Sequence, residues 1–417
     1  MRNRTIIFCM TGAFIIILLS LSISSTTNAA EPIVIAVMDP MSGPFKDAGF
    51  MTTALSEYVV DQLNAKGGIL GRPIKLLKYD TQMKPDVAVR QAKKAILEDG
   101  AKFILHHTSS AIALALSKLA QENNVIYVDL GAGADKITGE EFTPNMFRTC
   151  LSTTMQSGIL AQYFSQTSYK RYYLLNMDYV FGHEAADAFK KILKKIKPEV
   201  EIVGDEYHPI GTKDFGPYVS KILATKAEVV FTSNFEADLT NLIKQARTLG
   251  MNATIASYYL NATPVMNSLR EAAIGCVTAE AYMETVETKK NEEFLKTWQP
   301  WYKKHYPGEP SFYLIPGKPA DTVNGFYFLA EAIKKAGSLE ADKVIKAWEG
   351  MSFDGLCGKV TMRACDHQIQ TPGFIAKIEA NHPFRKIIDF PYIGKPTLIP
   401  AEKISVPPGE TGNPRCK

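Results

Sequence analysis

The chain has 417 residues, with 47 Lys and Arg against 43 Asp and Glu, a formal charge of +4. That balance leaves no basic footprint for nucleic acid, so Lys190-Lys191 and Lys194-Lys195 are read as solvated helix faces. The length exceeds what one ordinary core supports, and two domains are expected.

Arg2 and Arg4 precede an apolar run, Ile6–Ile23, followed by the small residues Thr27-Asn28-Ala29-Ala30. This is the pattern of an export leader, residues 1–30, cut near Ala29 or Ala30. An uncleaved anchor is the rival, because the run is almost long enough to span a bilayer. Cleavage removes two arginines and no acid, leaving a net charge of +2.

Glu31–Asp39 is a buried strand that breaks at the polar turn Pro40–Pro44. Ala48–Ala65 has helical periodicity and stops at Gly67-Gly68; Pro73–Asp80 is a second strand. Pro85 opens a helix that reaches about Glu98, as its missing N–H permits. Phe103-Ile104-Leu105 ends at His106-His107-Thr108-Ser109-Ser110. A helix follows, with Ala111, Ala115 and Leu119 on one face, and Val125–Leu130 then ends at Gly131-Ala132-Gly133. Strands alternating with helices specify a parallel sheet. Both turns then lie at the carboxyl edge of that sheet, where open α/β sheets bind ligands. They offer hydroxyls and bare N–H groups to a small polar or anionic molecule.

Near Met146–Cys150 the pattern restarts. Thr154–Gln166 is a helix and Arg171–Asn176 a strand; a helix runs on to Lys197. Glu201–His208 and Glu228–Ser233 are strands with a helix between them. Phe235–Leu249 is a helix and Thr254–Tyr259 another strand. Phe181, Phe235 and Tyr258-Tyr259 follow strand ends, so they are either core or a ligand-covering wall. Beyond Cys276 the order changes, with helices at Asn291–His305, Ala320–Lys335 and Asp342–Trp348. Cys357–Met362 and Gly373–Ile378 read as strands. Prolines from Pro391 to Pro414 mark 391–417 as an extended tail.

Gly131-Ala132-Gly133 lacks the third glycine of a dinucleotide fingerprint, since position 136 is Lys136, and no phosphate-cradling P-loop occurs. His106-His107 has no third ligand at a metal-binding offset, and Ser109 and Ser110 lack a nucleophile elbow. No metal, cofactor or catalytic activity is expected. An exported enzyme would need an assembled nucleophile or carboxylate pair, which the sequence does not show. Cys357 and Cys365, eight apart across LCGKVTMRAC, are a candidate disulfide in an oxidising compartment. Cys150 and Cys276 read as buried thiols, and Cys416 has no obvious mate.

The runs IVIAVMDPMSGPF, LNAKGGILGRPIKLLKYD, the Ser109-Ser110 turn, GAGADKIT, DYVFG, TKDFGPYVSKI and QARTLG together resemble the exported type I solute-binding proteins of ABC importers. Within them the pattern is similar to the leucine/isoleucine/valine-binding protein family, over about residues 32–379. The resemblance implies an α/β fold of two Rossmann-like lobes with a hinge of three crossings, the periplasmic binding protein type I fold. The crossings should fall near 148–151, 277–281 and 352–356. The lobes are then 31–149 plus 280–353, and 152–277 plus 356–390.

Ser109 and Ser110 match the turn that takes the ligand carboxylate. Ala132 matches the family's alanine, while Gly133 stands where the family has threonine. Phe181 matches the aromatic before glycine, and the second aromatic falls at Asn234 or Phe235. The acid that meets the ligand's ammonium falls at Tyr259, where this chain has no carboxylate. Asp178 and Glu236 are the substitutes, with Asp129 and Glu280 also near the cleft. The implied function is capture of a small carboxylate ligand, a hydrophobic amino acid, by clamshell closure and delivery to an ABC permease and ATPase. An aromatic or other non-amino acid or amide is the alternative, and a ligand-sensing domain a second. The protein is expected to act as a periplasmic monomer.

Overall fold

The computed structural model describes residues 30–43, 45–308 and 320–416. The expected leader therefore falls almost wholly outside the described residues. No described helix is long and apolar enough to cross a membrane.

The first lobe runs β1 (Ile33–Asp39), α1 (Lys46–Asn64), β2 (Ile74–Asp80), α2 (Pro85–Leu97), β3 (Phe103–His106), α3 (Ser110–Glu122), β4 (Ile126–Asp129) and β5 (Met146–Arg148). Its strands pair in parallel in the order β2-β1-β3-β4-β5. The apolar runs follow from that topology, because helices cover both faces of the sheet. Ile33, Ile35 and Val37 of β1 join one buried cluster, and Ala36 and Met38 join another. Asp39, His106 and Asp129 end β1, β3 and β4 at one edge of the sheet.

The second lobe begins at α4 (Thr153–Ser165), whose entry is capped by Ser152 accepting from the Met155 N–H. It continues through β6 (Arg171–Met177), α5 (Val180–Ile196), β7 (Glu201–His208), α6 (Gly216–Thr225), β8 (Val229–Phe231), α7 (Glu236–Thr248), β9 (Thr254–Ser257), α8 (Thr263–Leu269) and β10 (Val277–Glu280). The seven-residue α8 is too short to carry a readable apolar period. Helices α9 (Lys289–His305), α10 (Gly325–Ala336) and α11 (Ala341–Trp348) follow. The chain then forms β11 (Ser352–Gly355), β12 (Gly358–Met362) and β13 (Ile369–Gln370), a small antiparallel sheet of its own. It enters the second large sheet through β14 (Gly373–Glu379), antiparallel to β10. That sheet has the order β15-β14-β10-β9-β8-β6-β7, where β15 is Tyr392–Ile393; β16 (Thr397–Ile399) also pairs β14. Residues from Pro391 on therefore add strands to the second lobe, and a short α12 (Ala401–Ile404) packs on α4.

The hinge is built around β5. Phe147 stacks between Trp348 and His367, with ring centroids 4.2 and 4.1 Å away. Arg148, 1 % exposed, donates to Gln368 Oε1 (2.5 Å), the Ala134 carbonyl (2.6 Å) and Thr138 Oγ1 (2.5 Å). Gln368 in turn donates to the Cys150 carbonyl at 2.8 Å. One guanidinium thus ties the turn after β4 to the segment around Gln368.

The disulfide differs from the expected one. It joins Cys365 to Cys416, with Cα atoms 5.1 Å apart. Cys357 is a free, buried thiol, as are Cys150 and Cys276. The apex of the hairpin falls at Cys357 itself rather than between the two cysteines. The five residues of β12 then hold Cys357 and Cys365 on the order of 16 Å apart at ~3.3 Å per residue, beyond the reach of an S–S bond. Burial pushes the Cys357 thiol well above its ordinary pKa.

Candidate functional site

The turn after β3 is organised by its own buried polar side chains. Asp39 Oδ1 accepts from the His107 N–H (3.2 Å), the Thr108 N–H (3.1 Å) and Thr108 Oγ1 (2.9 Å). His106 Nε2 accepts from the Ser109 N–H at 3.3 Å. That nitrogen is therefore unprotonated, and Nδ1–H is the donor toward Tyr127 Oη, 3.2 Å away. Burial, with His107 beside it, lowers the His106 pKa to about 3, so the ring stays neutral. Ser109 caps α3, its Oγ accepting from the Ile112 N–H. The N–H groups of Ser110 and Ala111 begin the helix and have no intrahelical acceptor. Their dipole favours an anion.

The turn after β4 is built the same way. Asp129 Oδ1 accepts from the Gly131 N–H (3.1 Å) and the Ala132 N–H (2.8 Å). Ser110 Oγ accepts from the Ala134 N–H at 3.2 Å, which joins the two turns. The hydroxyl hydrogens of Ser109 and Ser110 can still donate, since each oxygen acts as the acceptor toward Ile112 and Ala134. Ala132 is buried, with its N–H on Asp129 and its carbonyl accepting from Cys150 Sγ at 3.6 Å. It shapes the turn and offers no main-chain donor to a ligand. The Gly133 carbonyl takes the Thr153 N–H (2.7 Å) and Oγ1 (3.0 Å) from the other side of the hinge. A Cβ at Gly133 would lie 3.2 Å from Thr153 Oγ1 and 3.9 Å from the Phe181 ring. That Cβ would press lightly on the Thr153 hydroxyl and meet the Phe181 ring at ordinary contact distance.

Opposite these turns stands an aromatic wall. Phe181 lies 6.0 Å from Tyr179, 6.3 Å from Tyr258 and 6.4 Å from Tyr259 between ring centroids. Phe235 lies 5.8 Å from Tyr259, and 6.4 Å from Phe45 of the first lobe. Tyr258 is fully buried and shares a 2.8 Å bond with Ser157 Oγ. Phe181, Phe235 and Tyr259 are thus one half-buried surface, and the Phe45 contact brings the lobes together over it. Tyr179 and Phe45 were not among the residues singled out from sequence. Tyr179 sits two residues before Phe181 in the same turn. Phe45 needed the second lobe to acquire a meaning.

The remaining expected residues are placed as follows. Asn234 is fully buried; its Nδ2 lies 2.8 Å from His208 Nε2, and its Oδ1 has no partner among the described residues. Asp178 is exposed in the turn between β6 and α5 and pairs with His183 Nε2 of that helix at 2.8 Å. Glu236 begins α7 with φ 48°, a left-handed backbone uncommon for a residue with a Cβ. Desolvation and then Asp47 of the first lobe raise its pKa. Glu280 is buried and accepts from Gln156 Nε2 at 3.4 Å. No carboxylate occupies position 259.

The two strand-terminal aspartates carry an electrostatic consequence. Burial raises Asp39 to about 8 and Asp129 to about 7. Hydrogen bonds from Thr108 and His107 lower Asp39 only partly, and Arg148 lowers Asp129 only partly. A carboxyl raised on folding stabilises the native state fully below its unfolded pKa, and that contribution is lost as pH rises through the folded pKa. Stability is therefore expected to fall as pH rises from about 4 through 8. Urea midpoints measured across that range should decline, and Asp39→Asn should flatten the decline.

Two α/β lobes meeting over a cleft, with a helix N-terminus on one side and aromatic rings on the other, define a protein that encloses a small ligand. The family model described as periplasmic binding protein matches residues 32–383, and the chain belongs to that family. It is a solute-binding protein, and the family places it in the periplasm. A Leu/Ile/Val-binding protein homolog 4 of Brucella abortus is 29 % identical over 385 residues, covering 86 % of this chain and 87 % of that one. Among solved structures, the leucine-, isoleucine-, valine-, threonine- and alanine-binding protein from Brucella ovis, in a closed conformation, is similar at TM-score 0.79. It is 25 % identical and covers 91 % of this chain and 97 % of that one. A solute-binding protein of an ABC transporter from Rhodopseudomonas palustris BisB5, in complex with 3,4-dihydroxybenzoic acid, shares the fold at TM-score 0.76. Its identity is 23 %, over 89 % of this chain and 98 % of that one.

Proposed function

We propose that the chain is exported with its leader cut near Ala29 or Ala30, captures a hydrophobic amino acid by clamshell closure, and delivers it to an ABC importer. Leucine, isoleucine and valine are the leading ligands, in line with the names of its relatives. The observation that carries this reading is the distribution of turn donors. Asp39, His106 and Asp129 occupy the N–H groups of residues 107, 108, 109, 131 and 132. The turn donors that these three side chains leave include Ser109 and Ser110 O–H with Ser110 and Ala111 N–H. That set suits a carboxylate.

Docking begins on the first lobe, where these donors meet the carboxylate. Closure then brings Phe181, Phe235 and Tyr259 over the apolar part of the ligand. Ligand shifts the population to the closed form because only that form makes both sets of contacts.

An aromatic acid without an α-amine is the second reading. It is favoured by the rings around Tyr259 and by the absence of an acid there, since an unpaired buried ammonium is costly. Calorimetric titration of the mature chain with leucine, isoleucine, valine, phenylalanine and 4-hydroxybenzoate separates the two. Leucine binding in the micromolar range or tighter, with 4-hydroxybenzoate silent, is the expected result. The reverse order sinks the amino-acid reading and leaves the aromatic acid.

A further inference from the structure

We infer that Asp39 and Asp129 are positioning residues of the cleft, each fixing from beneath one of the two turns that receive the ligand's carboxylate. The inference rests on the proposed reading of the cleft and deepens it. Neither side chain has any exposed surface. They end β1 and β4, with His106 ending β3 between them in the sheet.

Each uses a single oxygen to gather donors. Asp39 Oδ1 takes three from residues 107 and 108, and Asp129 Oδ1 takes two from residues 131 and 132. The Oδ2 atom of each has no hydrogen-bond partner among the described residues. A buried carboxylate with one unmet oxygen is costly, and a fold that needs only an acceptor there could use a neutral side chain. Burial raises the pKa of both groups, and in either protonation state the Oδ1 atom can accept from every donor of its turn. The turns are held without consuming the Ser110 and Ala111 N–H groups.

A ligand carboxylate on those donors adds a fourth acidic group to a sheet edge that already carries Asp39, Asp129 and, ending β2 in register with Asp39, Asp80. The charged and titratable groups around the pair include Arg148, in register with Asp129; Asp80, in register with Asp39; Tyr127; Cys150; and the adjoining His106 and His107. Only Arg148 among them is a fixed cation. Ligand binding at this edge is thereby linked to proton uptake by the aspartyl pair, and affinity falls as pH rises.

The test has two arms. In ligand-free full-length mature protein, hydrogen exchange followed by mass spectrometry reads peptides covering 105–112 and 129–135. Asp39→Ala should speed exchange in the first by about tenfold and Asp129→Ala in the second, each leaving the other peptide protected, while the Asn variants, which keep an acceptor, recover most of the protection. In the second arm, leucine is titrated between about pH 6 and 9. Wild-type affinity should decline with pH. The Ala variants should bind about tenfold more weakly, and the Asn variants should recover most of the affinity with a flatter pH profile. Unchanged exchange in both Ala variants overturns the proposal, as does wild-type affinity with a wild-type pH profile in every variant. Leucine failing to bind wild type would sink the proposed ligand, and the exchange arm would still decide the positioning role.

Discussion

Replacing Cys416 by serine is expected to cost the native chain about 4 kcal/mol, the loop-closure value for a separation of 51 residues. The effect reaches beyond entropy because the bridge anchors a strap across the hinge. On the second lobe, the Lys403 carbonyl accepts from Gln162 Nε2 at 3.3 Å, and Ile404 lies 3.6 Å from where a Cβ at Gly158 would stand. On the first, Asn413 Nδ2 donates to the Thr138 carbonyl at 2.9 Å. Arg415 pairs with Glu349 at 2.6 Å. Glu349 is held down to about 2, chiefly by His367. Without the bridge, residues 401–416 should release first, as a local opening below the global transition. Limited proteolysis with and without reductant reads this directly. Cleavage confined to the tail in the reduced form is expected; equal resistance in both forms would show that the strap holds without its bridge.

Removing the Arg148 side chain should cost a comparable amount, about 3–5 kcal/mol, because it strips a buried charge from a network that stays behind. Arg148→Met leaves Thr138 Oγ1, the Ala134 carbonyl and Gln368 Oε1 without their donor. It also takes away the one cation that lowers Asp129. Arg148→Lys keeps the charge but not the planar fork that reaches three acceptors, and should recover only part of the loss. Denaturant midpoints give the magnitude. Because Arg148 links the β4 turn to Gln368, the Met variant should also bind ligand more weakly than its stability loss alone explains.

The stretch from β3 to the turn after β4 was legible in the sequence. Its signals are local: apolar runs of strand length, small turn residues, and a serine able to cap a helix. The same holds for the second βαβ series and for Phe181, Phe235 and Tyr259 at strand ends. What could not be read depends on contacts distant in sequence. The Cys365–Cys416 pairing needed the tail to fold back, and its prolines argued for extension. The addition of β15 and β16 to β14 came from the same return of the chain. Asp39 looked like an ordinary strand end and Asp129 like a possible ammonium partner, since the backbone amides they hold leave no mark in composition. Phe45 lay outside the strand-end pattern because its ring partner is 190 residues further along. The missing acid at Tyr259 was visible at once, and its structural counterpart is the ring cluster that fills the position.

The most direct test of the carboxylate site is a paired titration of the mature chain with one tight-binding acid and with its primary amide. The amide lacks the negative charge and offers an NH2 donor in place of one acceptor oxygen to the Ser109–Ala111 donors. The acid is expected to bind about 100-fold more tightly, as the loss of charge-assisted hydrogen bonds from two or more donors implies. Equal affinity for acid and amide would contradict the assignment of these donors to a carboxylate.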